Sequence, residues 1–324
     1  MSDPESATTD VLSKEILKDF MPSLPARDGW PQPLILYKNY WFRPKMLEEI
    51  LLVKQAFVPR VDDIILATQP KCGTTWLKAL AFTITNRSRY SFKDHPLLTR
   101  HPQYVVPFIE IPAADGPNQT DIDALPSPRL LATHLPMSLL PPKRTSLGCR
   151  AVYLCCDPKD ALVSRLHFEN KMVKGTNLSM DSAFSMFCEG FSSFGPFWDH
   201  CLEYWKESVA RPNNVLFLKY CWSWSSSISK KKKLAKFLGV PHTEEEERSD
   251  VAQEVARLSS FEMLTSLKVN QVGGVSYGNK VYISDSSFYR KGEVGDWVNH
   301  MNHDMGEKLD RIVQKKLQGS GLVL

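Results

Sequence analysis

The sequence has no apolar run approaching the roughly 20 residues that a membrane-spanning helix needs, so no membrane span is expected. Its first residues, MSDPESATTD, are acidic and hydroxyl-rich, without the basic and apolar regions of a secretory signal. The seven cysteines are odd in number. Apart from the adjacent Cys155 and Cys156 they lack the short spacings of a disulfide framework or a zinc site. That usage points to a reduced, cytoplasmic compartment. Charge of one sign is scarce too: 40 basic residues face 36 acidic ones, a net +4. So small an excess argues against nucleic acid as a partner and suits an anionic small molecule. The one dense basic run, Lys230 to Lys233, sits beside a helix-like LAKFL stretch and is answered by Glu244 to Glu247, so it reads as a solvated helical face. No Gly/Ser linker and no internal repeat divides the chain.

What is present suits one globular domain. The 324 residues are 43% hydrophobic and 23% charged, enough for a buried core and too apolar for wholesale disorder. Residues 1–28 read as a flexible tail with an entry turn, and residues 29–324 as the domain. Short β-rich runs at 63–68, 129–134, 150–156 and 214–220 alternate with helical patterns at 74–86, 160–172, 180–191 and 197–209. Apolar strands separated by helices predict an α/β fold with a parallel sheet covered on both faces. Ligands of such sheets collect at the carboxyl ends of the strands.

Two motifs lie at such ends. Strand 63–68 runs through Gln69 into PKCGTTW (residues 70–76) and directly into an apolar helix. A helix start carries unpaired N–H groups and partial positive charge. Gly73 permits close approach of the backbone, Thr74 and Thr75 add hydroxyls, and Lys71 adds a full charge. The backbone N–H of Cys72 is expected to bind as well. Trp76 suits core packing and base stacking equally. This is a phosphate cradle in physical terms, although the lysine precedes the glycine, unlike GxxxxGK[ST]. Strand 150–156 ends at Asp157, a fitting N-cap, and Pro158, a fitting first helical residue. Ser164 lies about two turns further, on the face of Asp160. Near the end of the chain, RKGEVGDW (residues 290–297) sets Arg290 and Lys291 beside Gly292. The glycine-bearing stretch before it reads as a mobile cover. His134, closing strand 129–134, is a general-base candidate.

PKCGTTW after one strand, PKD with Ser164 after a second, and RKGEVGDW at the end resemble the cytosolic sulfotransferases. These use 3′-phosphoadenylyl sulfate (PAPS) as donor and release adenosine 3′,5′-bisphosphate (PAP). The wording between motifs (LATQPKCGTTWLKALAF, NRSRY, HPLLTRHP, LPSPRLLATHLP, GPFWDHCLEYW) is similar to the plant flavonol-type branch. The resemblance implies a single α/β domain around a five-stranded parallel sheet, with a P-loop-like PAPS-binding loop. Lys71, Cys72, Gly73, Thr74, Thr75 and Trp76 would grip the 5′ phosphosulfate and adenine. Ser164, Arg290, Lys291 and Gly292 would hold the 3′-phosphate, with Tyr220 near the adenine. Ser259, Ser260 and Phe261 would also line the nucleotide site. His134 would be the catalytic base, Lys71 would stabilise the leaving group, and no metal is expected. The acceptor would be a small hydroxylated molecule (a flavonoid, phenolic, hormone or steroid), its pocket including Tyr104, Phe108 and Phe168.

Departures from the pattern are visible. Cys156 stands where the family has a phosphate-binding arginine, and neither Arg150 nor Arg165 is placed to substitute. The stretch 221–230 (CWSWSSSISK) replaces an acidic helix-forming segment and has poor helix propensity. The family's dimer motif is poorly kept over Val298 to Glu307, so a monomer or weak homodimer is expected. An alternative reading is a degenerate member that binds nucleotide or small molecule with little turnover. A P-loop kinase using ATP and magnesium is disfavoured by the order of the loop and by the lack of a strand-end aspartate for the metal.

Overall fold

The computed structural model describes residues 14–110, 119–141, 148–173, 175–220, 227–277 and 281–324. The described residues open with helix α1 (Lys14–Phe20) and a small antiparallel sheet of β1 (Ala26–Arg27), β2 (Leu34–Tyr37) and β3 (Tyr40–Phe42). Helix α2 (Pro44–Ala56) leads to β4 (Ile64–Thr68), α3 (Thr74–Asn86), β5 (Leu130–Thr133), β6 (Arg150–Cys155) and α4 (Pro158–Met172). Then come α5 (Phe197–Ala210), β7 (Val215–Lys219), α6 (Ile228–Phe237), a hairpin of β8 (Gly274–Tyr277) and β9 (Val281–Ser284), and α7 (His303–Leu317).

Strands β5, β4, β6 and β7 form one parallel sheet in that order, with Ile64 opposite both Leu130 and Arg150, and Ala151 opposite Val215. Among the described residues the sheet has four strands, against the five implied by the resemblance. Every residue of β4 is buried, as a strand covered on both faces must be. Successive side chains point to opposite sides. Ile64 and Leu66 pack with Leu80, Leu154 and Leu234 on one side. Ala67 and Tyr153 pack with Leu162, Trp198 and Leu309 on the other. At the amino edge, Arg129 Nε and Nη2 donate to the two carboxylate oxygens of Asp63 at 2.8 and 2.7 Å. Both side chains are essentially solvent-free, and the pair pins the start of β5 to that of β4.

Three expectations change. Residues 14–27 of the stretch read as a tail form α1 and β1. Leu17 is 1% exposed, and Phe20 meets Tyr37 edge-on at 6.2 Å, because two apolar residues three apart share one helix face. The run Lys230 to Lys233 lies on α6, and Lys232 does pair with Glu247 at 2.9 Å, but Lys231 is turned inward and buried. Residues 221–226 lie outside the described residues. From Ser227 onward the stretch is helical, because the Ser227 hydroxyl accepts the N–H of Lys230 and caps α6.

Candidate functional site

The loop after β4 is held by two residues in the left-handed region, Lys71 (φ 73°) and Gly73 (φ 84°). A non-glycine residue rarely sits there, and such strain gathers at functional turns. The turn closes on itself: the Cys72 N–H donates to the Gln69 carbonyl at 3.1 Å. This N–H, expected to bind ligand, is engaged by the tight turn itself. Gly73 caps α3 without a side-chain bond, so the amides of the first helical turn remain for an anion. A Cβ on Gly73 would lie 3.2 Å from Leu154 Cδ2 and 3.4 Å from the Tyr220 ring.

Thr68, the last residue of β4, joins this loop to the histidine. Its hydroxyl lies 2.7 Å from Thr74 Oγ1 and 3.2 Å from His134 Nδ1. Its carbonyl oxygen is 2.9 Å from the same Nδ1. A carbonyl only accepts, so Nδ1 carries the proton and Nε2 keeps the basic lone pair. The ring sits between Phe108 and Phe194, centroids 4.8 and 5.6 Å away. Burial, followed by the Lys78, His200 and Arg165 charges and opposed by the Thr68 carbonyl, lowers the pKa of His134 to about 3. The imidazole is therefore neutral at physiological pH. Its main chain is fixed as well. The His134 N–H donates to Glu110 Oε1 at 2.6 Å, and His200 Nε2 donates to the His134 carbonyl at 3.0 Å.

Both motifs open on one cavity of about 780 Å³. Lys71 stands in it with its ammonium 4.1 Å from the centre of the Phe168 ring, a cation–π distance. Burial, then the like charges of Arg165 and Arg290, lower its pKa to about 7. On α4, Asp157 caps the first turn through the Lys159 N–H at 2.8 Å, with Pro158 at the first helical position. The Asp160 carboxylate accepts the N–H groups of Gly295 (2.7 Å) and Trp297 (3.0 Å), which fastens the C-terminal loop over the cavity. Within that loop Arg290 and Lys291 both bind Asp296. Although burial opposes it, those two cations and Asn299 hold the Asp296 carboxyl well below the usual range. Arg290 Nε is buried without a partner. Gly292 (φ 68°) lies flat on Phe261, where a Cβ would come within 2.5 Å of the ring. Its carbonyl is 3.5 Å from the Tyr220 hydroxyl.

Of the residues singled out in the sequence, Lys71, Gly73, Thr74, Thr75 and Trp76 line this cavity from the loop, and His134, Ser164, Tyr220, Arg290 and Gly292 from elsewhere. Trp76 packs edge-on against Tyr220 at 5.4 Å, so it supports the wall as well as facing the space. Cys72 and Lys291 are not on the wall. The Cys72 side chain is fully buried, and the Lys291 ammonium turns to Asp296 at 2.6 Å. Ser259 and Ser260 also fall away, because Ser259 bonds the Val255 carbonyl and Ser260 caps the helix Phe261–Ser266; Phe261 alone of the three faces the cavity. Phe108 and Phe168 line it, whereas the Tyr104 hydroxyl is spent on the Gly274 carbonyl.

Sequence reasoning missed Glu110 and Lys78 and gave Arg165 no role. Arg165 lines the cavity, donates to the Ser193 carbonyl at 2.8 Å and lies 3.6 Å from Glu169. Burial raises the Glu110 pKa to about 7, and the Lys78 ammonium rests 3.5 Å from the Phe108 ring centre. The one signal was an acid or a base inside an apolar run, FIEIP and WLKAL. Cys156 lines the cavity with its sulfur 2.9 Å from that of Cys72. That contact, and then burial, raise the Cys156 pKa well above its ordinary value. Among the described residues no group of three or more His, Cys, Asp or Glu side chains is arranged to hold a metal ion.

Comparisons with known proteins agree with this arrangement. The sulfotransferase domain family model matches residues 61–321. Arabidopsis thaliana cytosolic sulfotransferase 5 is 40% identical over 316 residues, covering 95% of this chain and 96% of its own. A solved Arabidopsis thaliana chain, described as a candidate steroid sulphotransferase, superposes with a TM-score of 0.74 at 33% identity, covering 98% of this chain and all of that one. Retinol dehydratase, solved with androsterone and the inactive cofactor PAP, shares the fold at a TM-score of 0.70 and 20% identity over 97% of this chain and 96% of its own. With its loop, histidine and C-terminal cover joined around one cavity, this chain belongs to the sulfotransferase family.

Proposed function

We propose that this chain is a cytoplasmic, PAPS-dependent sulfotransferase of the plant cytosolic type, acting on a hydroxyl of a small acceptor such as a flavonoid, phenolic, hormone or steroid. The observation that carries the reading is the bond from His134 Nδ1 to the Thr68 carbonyl. It leaves the Nε2 lone pair unprotonated on a ring that lines the same cavity as Lys71. The residues present fit a polyanionic nucleotide. Arg290 has a buried, unanswered N–H, Gly292 gives a close backbone approach against an aromatic ring, and Lys71 caps a P-loop-like turn before a helix start.

When bound, the donor supplies an activated sulfuryl group for in-line displacement. Lys71, as a cation, neutralises negative charge at the leaving oxygen. The neutral imidazole of His134 takes the acceptor's hydroxyl proton, and a phenol, with a pKa of about 10 like that of tyrosine, gives it up more readily than an aliphatic alcohol. Phe108, Phe168 and Phe194 provide apolar walls that exclude water and select acceptors by shape. The domain is taken as residues 29–324 with α1 packed on it, working as a monomer or weak homodimer without a metal.

A second reading, a nucleotide or small-molecule binder with little turnover, is favoured by Cys156, a thiol where the family carries an arginine. Turnover of a phenol panel with radiolabelled PAPS, with and without a magnesium chelator, separates the two. The enzyme reading predicts chelator-insensitive sulfation that falls at least 100-fold in His134→Ala. Full activity in that variant removes His134 as the base, and no sulfation in the wild type favours the binder.

A further inference from the structure

We propose that Cys72 and Cys156 form a reversible dithiol–disulfide pair at the base of the loop, and that closing it weakens donor binding; the second half rests on the reading of this loop as the donor site. The two sulfurs are 2.9 Å apart. They belong to segments that follow β4 and β6, neighbours in the sheet with Thr68 opposite Leu154. A disulfide bond is shorter than their present separation by roughly 0.9 Å. Cys155, although adjacent in sequence, turns its sulfur to the Leu218 carbonyl instead, as the alternation along an extended chain requires. Cys156 therefore has one sulfur within reach and the cavity on its open side, while Cys72 is fully buried.

A peroxide small enough to enter the cavity supplies the oxidant. The thiolate form of Cys156, scarce because the Cys72 contact and burial hold the thiol protonated, attacks one peroxide oxygen. The O–O bond breaks, a sulfenic acid forms, and the released hydroxide takes the thiol proton and leaves as water. The Cys72 sulfur then attacks the sulfenic sulfur. The S–O bond breaks and a second water leaves with the Cys72 proton. Two thiols and one hydrogen peroxide give one disulfide and two waters, with two electrons passing from sulfur to oxygen. A dithiol reductant reverses the bond by exchange.

Cys72 lies between Lys71 and Gly73, both already in the left-handed region, so drawing its sulfur inward shifts the lysine and the start of α3. Misplacement of about 1 Å can cost as much as roughly 100-fold where positioning matters. Binding is reciprocal: a nucleotide lying over Cys156 shields the pair from oxidant.

The test uses the full chain, treated with graded hydrogen peroxide, blocked with N-ethylmaleimide, digested and mapped by mass spectrometry. The proposal predicts a linked pair of peptides containing Cys72 and Cys156. It also predicts at least tenfold weaker PAP binding in the linked protein, recovery with dithiothreitol, and slower linkage when PAP is present beforehand. Cys156→Ser and Cys72→Ser should give no linked peptide, and peroxide should leave each variant's PAP affinity at its own untreated value. Alkylation of both thiols after full treatment, oxidation of Cys156 to sulfinic acid without linkage, or unchanged PAP affinity in the linked protein would overturn the proposal. Absence of PAP binding in the untreated protein would instead overturn the donor reading, and the peptide map alone would then decide whether the disulfide forms.

Discussion

A single side chain sets the strength of the proposed 3′-phosphate site. Cys156 offers a neutral thiol that leans on another sulfur, whereas a guanidinium there would offer a fixed charge and several donors. A hydrogen bond to a charged group is worth about 1.5–3 kcal/mol. Cys156→Arg is therefore expected to bind PAP roughly 10- to 100-fold more tightly than the wild type in a calorimetric titration. Equal affinities would show that this position does not face the phosphate. The neighbouring cations do not replace the missing one, because Arg290 and Lys291 already share Asp296. Arg290 keeps one unanswered N–H, which fits weakened rather than abolished binding.

At the scale of elements, the C-terminal loop depends on α4. The motif at 290–297 stood out in the sequence because two cations, two glycines and a tryptophan fall together. Its anchor did not, because Asp160 lies 135 residues from Gly295 and 137 from Trp297. Removing that carboxylate leaves two backbone N–H groups without their acceptor. Asp160→Ala should speed hydrogen exchange at the Gly295 and Trp297 amides at least tenfold and weaken PAP binding together with it. Unchanged exchange would show that the loop holds its place without α4. Helix α3 was legible because an unbroken helical pattern follows a glycine in a tight turn. Helix α1 was not, since its seven residues are ordered by packing of Leu17 and Phe20 onto the core rather than by their own propensity. The same limit hid the Cys72–Cys156 contact, whose partners are 84 residues apart, and the use of the Cys72 amide inside its own turn.

For the molecule as a whole, the alternation of strand and helix placed each of the four parallel strands among the described residues within a residue of its observed bounds. The candidate site followed, because both motifs leave the same end of that sheet. Charge states were beyond reach, since they depend on enclosure: Lys71 reads as an ordinary lysine until the cavity closes around it. The central claim, that the turn from Pro70 to Trp76 holds the donor nucleotide through this lysine, is tested most directly by titrating PAP into wild type and Lys71→Met from pH 6 to pH 9. With a pKa of about 7 in the free protein, Lys71 is charged at the acid end and loses that charge as pH rises. The wild type should therefore bind PAP more tightly than Lys71→Met at pH 6, by an advantage that shrinks at least tenfold by pH 9. Equal affinity of the two proteins at pH 6, or no measurable binding to the wild type at millimolar PAP, would contradict it.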